Sequence, residues 1–127
     1  MKNKNKNILR YVVVFSLMVL TFACKTKKNE QVFVIPNYIK VSFISIGSGT
    51  DGVTRKQFLE YLETYQAEQK ITLEINSRNW GREGEKDYCI STSALNKDKY
   101  TILNEWLLKM MENKELVRLA YLDVCAN

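Results

Sequence analysis

Residues 38–52 of this chain, YIKVSFISIGSGTDG, decide the fold. The first nine residues place apolar side chains on both faces of an extended segment, which is typical of a central strand. The three glycines that follow give the backbone the freedom to turn tightly into a helix. Thr54 and Gln57 have the spacing of a capping box, which predicts that the helix starts at Thr54. We therefore expect a strand that leads directly into a helix.

Apolar periodicity predicts four further elements after this helix, which runs to about Lys70. They are a half-buried strand over 71–76, a returning strand over 87–92 after a polar loop, a helix capped by Asn96, and a strand over 116–124. The order predicts a ferredoxin-like α+β fold, with two helices on one face of a four-stranded antiparallel sheet. The expected strand order is fourth, first, third, second. In an alternative arrangement, residues 32–35 add a fifth strand.

The N-terminal segment has the features of a secretory signal peptide over 1–23. An apolar run over 11–22 follows four basic residues and ends in Ala23, directly before Cys24. Leu20-Thr21-Phe22-Ala23-Cys24 resembles the lipobox of bacterial lipoproteins, although Thr21 stands where that family usually has Leu. The resemblance implies that Cys24 is acylated and becomes the new N-terminus. Residues 24–31 would then be a flexible tether, and 32–127 a single domain.

The location follows from the same resemblance. Some lipoproteins carry an acidic run after the cysteine as a surface-export signal, whereas residues 25–28 here are mostly lysine. We therefore expect lipid anchoring in the bacterial cell envelope, on the periplasmic face of the outer membrane. The segment from Ile39 to Cys89 and the Lys- and Asn-rich leader also resemble small lipoproteins of Bacteroidota, a likeness that implies no particular activity.

The net charge of +5 does not indicate a nucleic-acid partner. Four of the 19 basic residues lie in the leader, which leaves 15 against 14 acidic residues, a net charge of +1. The tether removes a further +2, so that residues 31–127 carry a net charge of −1. No basic surface for phosphate groups is expected, and we predict no nucleic-acid partner.

Metal and thiol chemistry are not expected. The chain has no histidine, and besides Cys24 only Cys89 and Cys125 could bind a soft metal, so no metal site or cofactor is predicted. Two cysteines in an exported domain suggest a disulfide by count. The predicted strand order, however, places them at opposite ends of the sheet, too far apart to bridge. We therefore expect Cys89 to be a small buried side chain without a histidine to activate it.

The loop over 47–52 matches G-x-G-x-x-G, but the chain is too short for the parallel sheet of a dinucleotide-binding domain. One interpretation is that its glycines only permit the turn. A second is that free amides at the helix start bind an anion or carboxylate, with Gly47, Ser48, Gly49 and Thr50 as the site.

The predicted hairpin loop carries the other conspicuous residues: Arg78, Trp80, Arg82 and Glu83. Tryptophan and arginine together are typical of binding hot spots. In the alternative, Trp80 folds over the open end of the core and Arg82 pairs with a nearby carboxylate. Since the first and second strands are parallel in this topology, we expect this loop and the glycine loop to meet at one edge.

These patterns predict a membrane-anchored, non-catalytic lipoprotein that binds a protein or peptide in the envelope, as inhibitor and immunity proteins do. The alternative is a sensor of a small ligand or anion that uses the glycine loop. Paired carboxylates for glycoside chemistry would need a substrate cleft that nothing in the sequence indicates.

Overall fold

A computed structural model of the protein describes residues 32–125, of which those from Val34 onward form one compact unit. Its elements, in chain order, are β1 (Tyr38–Phe43), α1 (Gly52–Gln69), β2 (Ile75–Trp80), β3 (Glu85–Ser91), α2 (Lys97–Met111) and β4 (Val117–Leu122). The predicted signal peptide, Cys24 and most of the tether lie outside the described residues. Over residues 32–125, no helix is long and apolar enough to cross a membrane.

The sheet has the predicted topology. Its order is β2-β3-β1-β4, and every neighbouring pair is antiparallel. This confirms the ferredoxin-like βαββαβ arrangement, with β1 as a central strand. Residues 32–36 are not part of a strand, so the alternative with a fifth strand is wrong.

The core lies between one face of the sheet and the two helices. Ile39, Val41 and Phe43 of β1 are fully buried on this face, and the rings of Phe43, Phe58 and Tyr88 lie 5.2 to 5.9 Å apart. Burial of each such side chain stabilises the fold by about 1.5–3 kcal/mol. The helices supply the other buried side chains, chiefly Phe58, Leu62 and Tyr65 from α1 and Tyr100, Leu103 and Leu107 from α2.

The two helix starts differ in how well the sequence predicted them. Asn96 caps α2 as expected, since its side chain accepts a hydrogen bond of 3.0 Å from the backbone N–H of Lys99. The prediction that a capping box starts the first helix at Thr54 is wrong, because α1 begins at Gly52 and its N-cap residue is Asp51. The Asp51 carboxylate accepts from the backbone N–H of Thr54 at 2.9 Å and from its hydroxyl at 2.6 Å. Thr54 is therefore buried inside the first turn.

The strand predicted over 71–76 is displaced toward the C-terminus. β2 runs from Ile75 to Trp80, and only residues 81–84 connect it to β3. The long polar loop predicted over 77–86 is therefore mostly strand. β2 is an edge strand with five exposed residues, and the hydrogen bonds to β3 rather than apolar burial maintain it.

Cys89 and Cys125 form a disulfide, with Cα atoms 6.4 Å apart, so the prediction that they lie at opposite ends of the sheet is wrong. Two features of the chain explain the difference. β3 begins at Glu85, which places Cys89 late rather than early in the strand, level with Lys40 and Ala120. The chain also bends after Leu122, at residues 123 and 124, and so brings Cys125 back over the sheet.

Candidate partner-binding site at the β2–β3 hairpin

The glycine loop and the hairpin turn meet, as the parallel orientation of β1 and β2 predicted. The carboxylate of Glu83, in the turn, accepts a hydrogen bond from the Ser45 hydroxyl and a long one of 3.5 Å from the backbone N–H of Gly49. On the other side of the turn, the Arg55 guanidinium donates to the backbone carbonyl of Gly84 at 3.2 Å. The turn is thus attached both to the glycine loop and to α1.

The amides of Gly47 and Gly49 already have acceptors within the chain. The Ser45 hydroxyl oxygen accepts from the backbone N–H of Gly47 and of Gly49, each at 3.1 Å. Both glycines have positive φ angles, +101° and +86°, which the tight loop requires. The Ser45 hydroxyl, and then the Gly49 amide, lower the pKa of Glu83 below its ordinary value. The loop therefore binds a carboxylate, and that carboxylate is Glu83 of the same chain.

The other residues of the predicted anion loop contribute less. The carbonyl of Thr50 accepts from the backbone N–H of Gly52 at 2.9 Å, which closes the loop before α1. Ser48 is exposed, with no side-chain partner among residues 32–125. An external anion would have to replace Glu83 to reach the amides of Gly47 and Gly49.

Arg78, Trp80 and Arg82 form what we call the hairpin surface. Arg78 and Trp80 lie two residues apart on β2, so both point to the sheet face opposite the helices, and Arg82 follows in the turn. The Trp80 side chain is 40% exposed, and its ring nitrogen donates to Asp87 Oδ1 at 2.9 Å. This bond orients the indole on the sheet face. Trp80 does not cover the open end of the core, which was the alternative interpretation.

All three carboxylates near the hairpin surface are engaged by other groups. Glu83 is held by Ser45 and Gly49, as described above. Glu85 is buried beneath the turn and accepts from the backbone N–H of Glu83 at 2.8 Å. Asp87 accepts from Trp80 and lies 3.8 Å from the Lys40 ammonium. No carboxylate of the hairpin is left to neutralise an arginine.

Neither Arg78 nor Arg82 forms an ion pair or a side-chain hydrogen bond within residues 32–125. For Arg78 this is unexpected, because the register places it directly opposite Asp87. Lys40 and Trp80 bind that carboxylate instead. The predicted pairing of Arg82 with Glu83, Glu85 or Asp87 is also not found. The hairpin surface therefore presents two guanidinium groups beside a partly exposed indole.

The structure thus separates the four residues predicted to bind a partner. Arg78, Trp80 and Arg82 lie together at the surface, whereas the Glu83 carboxylate joins the turn to the glycine loop. Lys40, which the sequence did not single out, lines a cavity of about 50 Å³ on the same sheet face, together with Asn76, Arg78, Asp87, Cys89 and Cys125. Side chains alternate between the two faces of β1, and Lys40 lies on the face opposite Ile39 and Val41. This alternation is the sequence signal that could have identified it.

Within the described part of the chain, no group of three or more Cys, Asp or Glu residues could hold a metal ion. Comparison with protein-family models, with curated proteins and with solved structures finds no match for this chain. The chemistry open to this protein is therefore set by the geometry of the site itself.

Proposed function

We propose that this protein is a lipid-anchored component of the bacterial envelope that binds another protein or a peptide without catalysing a reaction. The unpaired arginines beside Trp80 are the observation that carries the binding role. Arginine and tryptophan are the side chains most enriched in interface hot spots, where truncation of one residue costs about 2 kcal/mol or more. A carboxylate of the partner would form the charge-assisted hydrogen bonds that Arg78 and Arg82 lack within the domain.

The rigidity of the hairpin surface supports the same role. Trp80 is fixed by its hydrogen bond to Asp87, and the turn is held by Ser45, Gly49 and Arg55. Because the indole and the backbone of the turn are already held in place, binding would cost less conformational entropy than it would in a mobile loop.

The binding role is tested by capture from the native envelope, with the full chain in mild detergent as bait and with chemical cross-linking. We expect one protein to be retained by the wild type and lost by a Trp80→Ala/Arg82→Ala variant. Arg118→Ala is the matched control, since Arg118 is an exposed arginine of β4, on the opposite edge of the sheet. Equal retention by the wild type and both variants would contradict a site at the hairpin surface.

The lipid anchor rests on Leu20–Cys24 and on the basic leader that precedes it. Two or more acyl chains hold a protein stably in a membrane. We expect the wild type to incorporate an alkyne-labelled palmitate and to sediment with membranes, and Cys24→Ala to lose both properties. Label on Cys24→Ala at the wild-type level would contradict acylation at this residue.

The alternative of an anion sensor is favoured by one observation: the glycine loop binds the carboxylate of Glu83. In this function an external anion takes the place of Glu83 and releases the hairpin turn. Thermal stabilisation of Glu83→Ala by phosphate, greater than that of the wild type, would support the sensor over the protein-binding role. No stabilisation of either protein would speak against the sensor.

A further inference from the structure

The outer edge of β2 is free of any strand within residues 32–125. β2 pairs with β3 on one side only, and the sheet ends there. An edge strand offers a row of backbone donors and acceptors to another extended chain. Natural proteins often block such an edge with proline, a bulge or charged side chains. Residues 75–80 read INSRNW, with no proline or bulge, and pair with β3 in unbroken register, so that the charge of Arg78 is the one such feature they carry.

The hydrogen-bond pattern shows which groups of β2 point outward. The backbone N–H of Ser91 donates to the carbonyl of Glu74 at 2.9 Å, so Glu74 and Ser91 form a hydrogen-bonded pair. Such pairs alternate along an antiparallel ladder. Asn76, Arg78 and Trp80 therefore bond to β3, while the N–H and C=O groups of Ile75, Ser77 and Asn79 point away from the sheet.

The side chains next to these groups favour an acidic chain. A strand that pairs with Ser77 and Asn79 in antiparallel orientation places one residue opposite Arg78, with Cα atoms about 4.5 Å apart, and another opposite Trp80. A further step of two residues carries it past the end of β2, beside the turn that holds Arg82. The complementary pattern is acid-x-apolar-x-acid, with the apolar side chain against the Trp80 ring.

We propose that an extended acidic segment of a partner protein adds to the outer edge of β2 as an antiparallel strand, with its carboxylates on Arg78 and Arg82. This inference rests on the proposed function and names the chemistry of the partner. Backbone bonds to Ser77 and Asn79 provide the attachment, and the guanidinium groups and the indole select the sequence.

Charge distinguishes this occupant from a second copy of the same chain. Two β2 edges paired with each other would bring Arg78 and Arg82 of both copies within about 10 Å, the range over which charges interact at moderate salt. Neither arginine has a counterion within the described residues that could screen this repulsion. A segment with carboxylates at alternate positions supplies the missing charges.

The test uses a fluorescein-labelled peptide, Thr-Glu-Thr-Val-Thr-Glu-Thr, and the full chain in detergent. The Glu-Thr-Val-Thr-Glu pattern is the same in both chain directions. We expect fluorescence anisotropy to show binding to the wild type, at least about tenfold weaker binding to Arg78→Ala, and unchanged binding to Arg118→Ala. A peptide with lysine in place of both glutamates should not bind. No binding of the glutamate peptide at about 1 mM would overturn the proposal.

Methylation of peptide nitrogens tests the backbone ladder separately from the charges. In an antiparallel addition with the valine opposite Trp80, the N–H groups of the last two threonines point to Asn79 and Ser77, while those of the glutamates and valine point away. N-methylation of the threonines should abolish binding, and N-methylation of the valine should not. Equal affinity of both methylated peptides would overturn strand addition, even if Arg78→Ala weakens binding.

Two further outcomes separate this inference from the proposed function. If an envelope protein is captured through the hairpin surface but the peptide does not bind, the proposed function stands and strand addition is wrong. If the chain sediments as a dimer that the peptide does not dissociate, and Ser77→Pro makes it monomeric, a second copy occupies the edge and the acidic partner is wrong.

Discussion

Asp51 stabilises the start of α1 through two hydrogen bonds to Thr54. Loss of an N-cap side chain usually costs about 0.5–2 kcal/mol. We expect Asp51→Ala to lower the free energy of unfolding by about that amount, as measured by urea denaturation at neutral pH. Ser48→Ala, in the same loop but without a side-chain partner among the described residues, should have little effect. Equal stability of wild type and Asp51→Ala would contradict the cap.

The same carboxylate gives this contribution a pH dependence. The hydroxyl and then the amide of Thr54 lower the pKa of Asp51 in the folded protein, with a smaller effect from Lys114. A carboxyl group whose pKa is lowered by folding stabilises the fold above its unfolded pKa, near 4, and this stabilisation is lost as the pH falls. Urea titrations from pH 7 to pH 3 should show the advantage of the wild type over Asp51→Asn shrinking below about pH 4.

Gly81 is required by the turn for two reasons. Its φ angle is +69°, and a Cβ atom at this position would collide with the Glu85 carboxylate. We expect Gly81→Ala to destabilise the domain by about 1–3 kcal/mol, the usual range for local backbone strain. Gly84→Ala is the matched control, since Gly84 also has a positive φ angle but open space around it. In thermal unfolding, Gly81→Ala should therefore be the less stable of the two.

At the level of elements, β2 should show alternating hydrogen exchange. The amides of Asn76 and Arg78 bond to β3, whereas those of Ser77 and Asn79 point outward. We expect the first two to exchange slowly with solvent deuterium, and the other two to exchange at least about tenfold faster, as measured by NMR. Similar protection at all four amides would show that another chain already occupies the edge.

The elements that the sequence predicted well are those with an apolar face. β1 and both helices bury side chains at regular spacing, so their periodicity identified them. β2 has almost no buried side chain, and its existence depends on a ladder with β3 that no local pattern encodes. The buried Leu73, which precedes β2, instead moved the predicted strand toward the N-terminus. An edge strand of this kind is difficult to predict from one sequence.

At the scale of the whole molecule, the disulfide between Cys89 and Cys125 closes a segment of 36 residues that contains α2 and β4. Chain-entropy arguments assign about 4 kcal/mol to a closed segment of this length. We expect reduction by dithiothreitol to lower the free energy of unfolding by up to that amount. A Cys89→Ala/Cys125→Ala variant should be insensitive to the reductant. Alkylation that adds two more groups to the intact mass after reduction than before it would verify the bridge.

The candidate site was predictable in its location but not in its charge. Chain topology alone placed the glycine loop and the hairpin turn at one edge, and Glu83 joins them there. Arg78 and Arg82 lack partners because, in the folded domain, other groups compete with them for the nearby carboxylates. Lys40 and Trp80 bind Asp87, and Arg78 does not. Glu85 is buried beneath the turn. Sequence spacing left both outcomes open, because it also places Arg82 near Glu83, Glu85 and Asp87.

The position of Cys125 also affects how the protein should be labelled. Cys125 lines the small cavity beside Arg78, so a group attached close to it in the chain also lies near the hairpin surface. An affinity tag or fluorescent protein attached within a few residues of Cys125 would therefore start next to the hairpin surface and would block the partner it was meant to capture. Immobilisation through the acyl chains of the proposed anchor, in a nanodisc, leaves the hairpin surface clear of any fusion.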